Sequence, residues 1–356
     1  MPGDIRRILV VRVDHIGDMV LSTPAFRALK HAFPQAHLTL LARPETAELM
    51  HTNPNLDEII TFSPQLFARS GERIPSAEET LELLARLKKR GFDLAIDLRG
   101  ERLTTLLAAL SGARVVVSPD FGDTGLATVK VPSTSPYNFD ERRHQVDINL
   151  DALRALGIEP FKGGLEINLV EEDRNRACEL LRKHQLHRHP FLAGLHVGGG
   201  YPSKLWTVSG FAEIGDRLVR EYGAGVVITG SAADLKRAAR VASLMEYPCT
   251  VLAGQTNLRE VAALLETFRI FVSGDCGLMH IASAVGTRTV GIFGGVNIVE
   301  RWRPYQGEYA VVRYEPECSP CHQGVCPRGV NCMGKITARD VWREVSALLK
   351  KGGREE

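Results

Sequence analysis

No apolar run in this 356-residue chain approaches the roughly 20 residues that a bilayer-crossing helix needs, so no membrane span is expected. The first residues run straight into a short strand-like segment, without the apolar core and small-residue cleavage site of a secretory leader. An excess of one charge is also missing. The 44 Lys and Arg face 42 Asp and Glu, and a formal net charge of +2 gives no electrostatic case for a nucleic-acid partner. Aromatic residues are scarce at 6%, which argues against a base-stacking platform. Seven cysteines without a leader do not suggest the disulfide framework of a secreted domain. A cytoplasmic location is the expectation, with peripheral contact at a membrane left open.

What is present is ordinary for a folded chain, with 44% hydrophobic and 24% charged residues. The length exceeds what one core usually sustains, so two domains are expected. The first half alternates strand candidates (8–13, 37–41, 58–62, 94–98, 114–117) with helix candidates (24–32, 45–50, 77–89, 103–109). This order with short turns predicts a mostly parallel sheet. Residues 119–140, rich in Gly, Pro, Ser and Thr, read as a long functional loop, and 146–156 as a helix. Pro160, Gly163 and Gly164 place the boundary within 157–171, giving domains at 1–165 and 166–337 and a final segment, 338–356. The helix 338–349 could pack back across either domain, the N-terminal one included. In the second half, 167–169 could form a short strand and 171–184 a helix. Strands are then expected at 191–195, 225–229, 249–252, 270–272, 289–293 and 310–313, with helices at 208–221, 233–245, 258–266 and 277–284.

Two glycine-containing turns stand out. R-V-D-H-I-G-D-M-V-L-S-T-P, residues 12–24, follows the apolar run 8–11. S-G-D-C-G-L-M-H-I-A-S-A, residues 273–284, follows 270–272. Each joins an apolar strand to a helix, a place where backbone N–H groups can hold phosphate. The first turn contains only Gly17 and lacks G-x-G-x-x-G, so NAD or FAD binding there is not expected. Asp18 reads equally as a helix cap and as a base or substrate-orienting carboxylate, and Asp14 competes with it. His196-Val197-Gly198-Gly199-Gly200 permits close backbone approach to a ligand. Lys204 follows, suited to a diphosphate, although the run lacks the ending of a P-loop. Ser231 and Asp234 follow another strand end, as ligand contacts or as plain turn chemistry. Asp275, Cys276, Gly277, Leu278 and His280 form the densest polar cluster. No nucleophilic Cys–His arrangement can be assembled around Cys276 from sequence spacing. The late set Cys318, Cys321, Cys326 and Cys332, spaced C-x2-C-x4-C-x5-C, reads as thiols packing a loop, ahead of structural zinc and of an iron–sulfur cluster. The run His184, His187 and His189 reads as a solvated helix end rather than a metal site.

Taken together, these segments resemble glycosyltransferase family 9, the ADP-heptose:lipopolysaccharide heptosyltransferases. The resemblance rests on D-H-I-G-D-M-V-L-S-T-P (14–24), H-V-G-G-G-Y-P-S-K-L-W (196–206), I-T-G-S (228–231), L-A-G-Q-T-N-L-R-E (252–260) and G-D-C-G-L-M-H-I-A-S-A-V-G-T (274–287), in consistent order over most of the chain. It implies the α/β GT-B architecture, two Rossmann-like domains with an interdomain cleft, and inverting transfer of a heptose onto a lipopolysaccharide inner-core or related glycan. Such a bacterial enzyme would work in the cytoplasm, at the inner face of the inner membrane. By this resemblance Asp18 is the base and Lys204 neutralises the donor phosphates. His196, Gly198, Ser231, Asp234, Asp275, Cys276, Gly277, Leu278 and His280 line the donor. Asp14, Arg99, Arg102, Arg142, Arg143 and His144 are candidate acceptor contacts. No cofactor is required; ADP-heptose or another nucleotide sugar is the donor. Two departures stand out: Cys276 replaces the usual Thr or Ser, and Phe293-Gly294-Gly295-Val296 replaces Phe-Gly-Pro-Thr. A relative with another donor or acceptor, a non-catalytic glycan- or nucleotide-binding protein, and a nucleotide-dependent oxidoreductase remain the alternatives, and the oligomeric state is open.

Overall fold

The computed structural model describes residues 4–63, 75–132, 142–160, 163–329 and 331–351. The chain divides into two compact units, Met1–Asn168 and Leu169–Glu356. Each is built on its own parallel sheet flanked by helices, the Rossmann-like pattern of the GT-B fold.

In the first unit the strands are β1 (Arg7–Arg12), β2 (His37–Ala42), β3 (Glu58–Thr61), β4 (Leu94–Asp97), β5 (Val115–Ser118) and β6 (Val129–Lys130). They lie in the order β3-β2-β1-β4-β5-β6 with every pairing parallel. Ile8, Leu9, Val10 and Val11 are all buried because β1 is covered on both faces, and this produces its unbroken apolar run. The helices are α1 (Ile16–Val20), α2 (Thr23–Ala32), α3 (Pro44–Met50), α4 (Ala77–Lys89), α5 (Arg102–Leu110) and α6 (Gln145–Arg154). Ser76 and Glu79 close a reciprocal cap on α4, satisfying backbone donors that would otherwise lack partners. α4 and α5 bury Leu83, Leu87 and Leu107 against Leu9, Val11 and Leu41.

The second unit carries β7 (Leu192–His196), β8 (Gly225–Thr229), β9 (Thr250–Val251), β10 (Phe268–Gly274), β11 (Thr289–Phe293) and β12 (Tyr309–Arg313). Their order is β12-β11-β10-β7-β8-β9. Counted from its own first strand, this is the strand order of the first unit, although the two halves share little sequence repetition. The helices are α7 (Glu171–Lys183), α8 (Val208–Tyr222), α9 (Leu235–Leu244), α10 (Leu258–Thr267), α11 (Gly277–Ala284), α12 (Val299–Trp302) and α13 (Ala338–Lys351). α8 starts at the Thr207 cap and stops at Gly223, whose φ of 66° favours glycine. The terminal helix α13 packs on the second sheet, burying Val341, Trp342, Val345 and Leu348 with Leu195, Val226 and Leu218.

Several expectations need correction. Residues 167–169 form no strand. Their segment bonds to side chains of the first unit instead of to a ladder: Thr52 Oγ1 donates to the Asn168 carbonyl, and Glu166 N to Thr23 Oγ1 at 3.1 Å. The expected loop 119–140 contains β6, whose two residues are too few to show a period; its residues 133–140 lie outside the described residues. The expected helix 233–245 begins as a 3-10 turn, Ala232–Asp234, because the Asp234 carboxylate folds back on Ser231. The short helix α12 was not expected, and the helix expected after the first turn is divided into α1 and α2, with Leu21 and Ser22 between them.

Candidate active site

Open sheets of this strand order bind ligands beyond the carboxyl ends of the strands where the order reverses. In the first unit that point lies between β1 and β4, and charged residues converge there. Arg12, the last residue of β1, donates from Nη1 to the Leu98 carbonyl at 2.8 Å and from Nη2 to Asp18 Oδ1 at 3.0 Å, while its Nε lies 3.1 Å from Asp14 Oδ1. Arg99 Nη1 donates to Asp14 Oδ2 at 2.8 Å, and its Nη2 to Glu101 Oε1 at 2.6 Å. The result is an alternating ladder, Glu101–Arg99–Asp14–Arg12–Asp18. Burial works against the charge on Arg99, but Asp14, Glu101 and Asp18 together hold its guanidinium protonated well above the ordinary value.

Exposure separates the two competing aspartates. The Asp14 side chain is 1% exposed and lies between two guanidiniums, whereas Asp18 keeps 15%. Asp18 stands in the first turn of α1, and Ser22 Oγ donates to its carbonyl at 2.8 Å. Behind the ladder, buried Asp97 accepts from the Arg99 and Gly100 amides, each at 3.0 Å, and from the hydroxyls of Thr104, Thr105 and Ser118. Burial raises the Asp97 carboxyl despite these bonds. Gly100, at φ 80°, makes this turn. The other candidates sit elsewhere in the unit. Arg102 is exposed at the start of α5, and Arg142 is exposed before α6. Arg143 pairs with Asp151 at 2.9 Å, and buried His144 caps α6, its Nδ1 accepting from Val146 N at 3.2 Å.

In the second unit the reversal lies between β7 and β10, and His196 is in register with Ser273 across it. Lys204 Nζ lies 2.8 Å from Asp275 Oδ2, which also accepts from Asn297 Nδ2 at 2.6 Å. Two sequence candidates therefore form one pair. Cys276 is the N-cap of α11 without a side-chain cap bond, leaving the Gly277 and Leu278 amides at the helix start. His280 is buried within that helix. A Cβ on Gly198 would fall 2.6 Å from Asp234 Oδ1, so any other residue there requires the Asp234 carboxylate to shift. Asp234 itself accepts from Ser231 N and Oγ at 2.8 and 2.7 Å, the turn-forming alternative for both residues. Burial opposes protonation of His196, yet Cys276 and Asp234 lift its imidazole above the usual value. Burial would likewise raise the Cys276 thiol, but His196 and Ser273 bring it down.

The late cysteine loop reaches this site through its backbone. Cys321 N donates to Gly295 O at 2.9 Å, His322 N to Val296 O at 3.0 Å, and Ser203 Oγ to Gln323 O at 2.6 Å. The loop thus braces both the Lys204 turn and the segment carrying Asn297. Burial, with Arg301 and Lys204 nearby, lowers the His322 imidazole. Cys318, Cys321, Cys326 and Cys332 are free thiols. Among the described residues no three His, Cys, Asp or Glu side chains are grouped to hold a metal ion, so neither these four nor His184, His187 and His189 are gathered into a ligand set.

Sequence reading missed Arg12, Asp97, Glu101 and Asn297. The available signal was a charge ending each of two apolar strands, Arg12 in β1 and Asp97 in β4, where burial demands a partner.

Comparison with known proteins adds the remaining evidence. The model of glycosyltransferase family 9 (heptosyltransferase) matches residues 80–330. Lipopolysaccharide heptosyltransferase 3 of Escherichia coli K12 is 27% identical over 299 residues, covering 81% of this chain and 82% of that protein. The crystal structure of a family 9 glycosyltransferase from Veillonella parvula superposes with a TM-score of 0.83 at 24% identity, covering 99% of both chains. The E. coli ADP-heptose lipopolysaccharide heptosyltransferase II gives 0.77 at 21% identity, covering 97% of this chain and 99% of that one. These likenesses show the fold.

Proposed function

The chain belongs to glycosyltransferase family 9, and from that premise we propose that it transfers a heptose from ADP-heptose to an inner-core sugar of lipopolysaccharide, inverting the anomeric carbon. One observation carries this reading. A partly exposed carboxylate, Asp18, stands at the strand reversal of one unit, and an ammonium with an uncapped helix start, Lys204 and α11, stands at that of the other.

In this mechanism Asp18 takes the proton of the acceptor hydroxyl as that oxygen attacks the anomeric carbon. The bond from the anomeric carbon to the diphosphate oxygen breaks, and the departing charge is stabilised by Lys204 and the Gly277 and Leu278 amides. Asp275 and Asn297 hold the Lys204 ammonium in place. His196, Gly198 and His280 shape the diphosphate side. Ser231 and Asp234 belong to the nucleoside side, and Cys276 starts the helix that meets the phosphates. Arg99, Arg102, Arg142 and Arg143 are the acceptor contacts, guanidinium being suited to carboxylate or phosphate on a core glycan. Buried Asp14 and His144 support that side from within. No described helix is long and apolar enough to cross a membrane; we place the reaction at the cytoplasmic face of the inner membrane, where a lipid-linked acceptor would be met.

The test is a panel of nucleotide sugars with a truncated lipopolysaccharide acceptor, read by mass spectrometry. Product from ADP-heptose supports the reading. Product from a different donor alone moves the assignment to the second reading, a relative with another sugar. The altered Gly294-Gly295-Val296 segment, held by the late loop, favours that alternative.

A further inference from the structure

Asp18 has two carboxylate oxygens, and the proposed transfer needs only one of them. The other is taken. Arg12 Nη2 donates to Oδ1 at 3.0 Å, and among the described residues no hydrogen bond reaches Oδ2. Arg12 is itself shut off from an acceptor, because its side chain is 2% exposed. It is also hard to move. Nη1 donates to the Leu98 carbonyl at 2.8 Å and Nε lies 3.1 Å from Asp14 Oδ1, so three nitrogens of one planar group meet three different partners. Asp14 is fixed in turn by Arg99 at 2.8 Å, and Arg99 by Glu101 at 2.6 Å. The backbone of Asp18 is tied as well, its carbonyl accepting from Ser22 Oγ at 2.8 Å. Leu98 O and Asp14 already give the buried guanidinium its partners; its third arm ends on the candidate base.

We propose that Arg12 is the positioning residue of the base: it occupies Asp18 Oδ1, sets the plane of the carboxylate and leaves Oδ2 as the oxygen that receives the acceptor's proton. This rests on the reading of Asp18 as the base. In the step, the acceptor O–H bond breaks, the proton goes to Oδ2, and the bonding pair stays on the oxygen as it attacks the anomeric carbon. The diphosphate leaves with the electron pair of the bond that breaks. Reacting groups must be closely aligned, and a misplacement of about 1 Å can cost about 100-fold in rate. Lysine would keep the charge of Arg12 but offers a single ammonium, which cannot span the same three acceptors. Charge alone is therefore not enough, and lysine at this position should not rescue turnover.

The test compares the parent chain, Arg12→Lys, Asp18→Asn and the double variant in the transfer assay, each corrected for its folded fraction by circular dichroism. For Arg12→Lys, kcat should fall about 10- to 100-fold while KM for the donor stays within about twofold, since only the alignment of the base is lost. In the Asp18→Asn background the same substitution should cost less than about twofold, because no base is left to position. A purely structural arginine would give equal losses in both backgrounds, and that result overturns the proposal, as does a near-parent kcat for Arg12→Lys. A parent chain inactive with every donor, or a fully active Asp18→Asn, refutes the base reading and this inference with it. A slow Asp18→Asn beside a normal Arg12→Lys refutes this inference alone. Should Arg12→Lys fail to fold, a crystal structure of the unaltered chain with ADP and acceptor decides. The acceptor hydroxyl should lie about 3 Å from Oδ2. A hydroxyl seated on Oδ1, or an Arg12 turned away from Asp18, overturns the assignment.

Discussion

Replacing Asp14 by Asn removes the negative rung between two guanidiniums while keeping its volume. Asp14 is almost fully buried and meets Arg12 at 3.1 Å and Arg99 at 2.8 Å. Removing one partner of a buried ion pair costs about 3–5 kcal/mol, chiefly because the remaining charge stays buried. Here each guanidinium keeps another acceptor, Leu98 O and Asp18 for Arg12 and Glu101 for Arg99. The lower end, about 3 kcal/mol, is therefore expected. For a unit of this size about 1 kcal/mol moves the melting temperature by about 2–4 °C, so the first unit should melt about 6–12 °C earlier. The assay can be made unit-specific, because Trp206, Trp302 and Trp342 are the chain's only tryptophans and all lie in the second unit. Far-UV circular dichroism should show the early loss, and tryptophan fluorescence should report the second unit. Asp123→Asn, which breaks an exposed, solvent-screened pair with Lys130, is the control and should leave the melting temperature nearly unchanged. A shift for Asp14→Asn no larger than this control would refute the buried-ladder argument.

Asp18→Asn should keep ADP binding and lower turnover by about 100-fold or more, the usual contribution of a general base; near-normal turnover would remove Asp18 from the mechanism. Lys204→Met should weaken ADP binding by about tenfold or more, measured by calorimetry, since it deletes a charge-assisted contact worth roughly 1.5–3 kcal/mol. Gly198→Ala forces a methyl group to 2.6 Å from the Asp234 carboxylate and should weaken ADP binding while leaving the first unit's melting unchanged. The side-chain hydrogen bond from Arg90 holds Glu58 below its usual pKa. Its stabilisation is thus present above the unfolded-state value and is lost as pH falls through the folded one. Urea titrations at pH 7 and pH 3 should show a smaller acid loss for Glu58→Gln than for the parent.

β1 and β10 were legible because a parallel strand buried on both faces carries an uninterrupted apolar run, as in 8–11 and 270–272. The two turns were legible because glycine and aspartate follow those runs directly. The ladder was not, since Arg99 and Asp14 are 85 residues apart and neither residue's local pattern names the other. Without that pairing Asp14 and Asp18 looked alike, and only burial distinguished them. Lys204 and Asp275 were each noticed, but their mutual ion pair depends on how β7 and β10 align. The late cysteines drew attention to sulfur, whereas the contacts that tie this loop to the site come from backbone and Ser203. β6 and the bonds of Glu166 and Asn168 escaped because single side chains, not periodicity, decide them.

In each unit the earliest strand ends up in the middle of its sheet. β1 is flanked by β2 and β4, and β7 by β8 and β10. During synthesis, β1 emerges first yet cannot complete its pairing until β4 arrives about 80 residues later, a wait of about 4–16 s at ordinary elongation rates. The second unit then repeats the delay for β7. For those seconds the nascent chain offers Ile8 to Val11 as an unpaired, wholly apolar edge, the kind of segment that holding chaperones and neighbouring nascent chains compete for. A strand order that gathers the functional turns at the centre of each sheet therefore also sets when, on the ribosome, this protein is most exposed to misassembly.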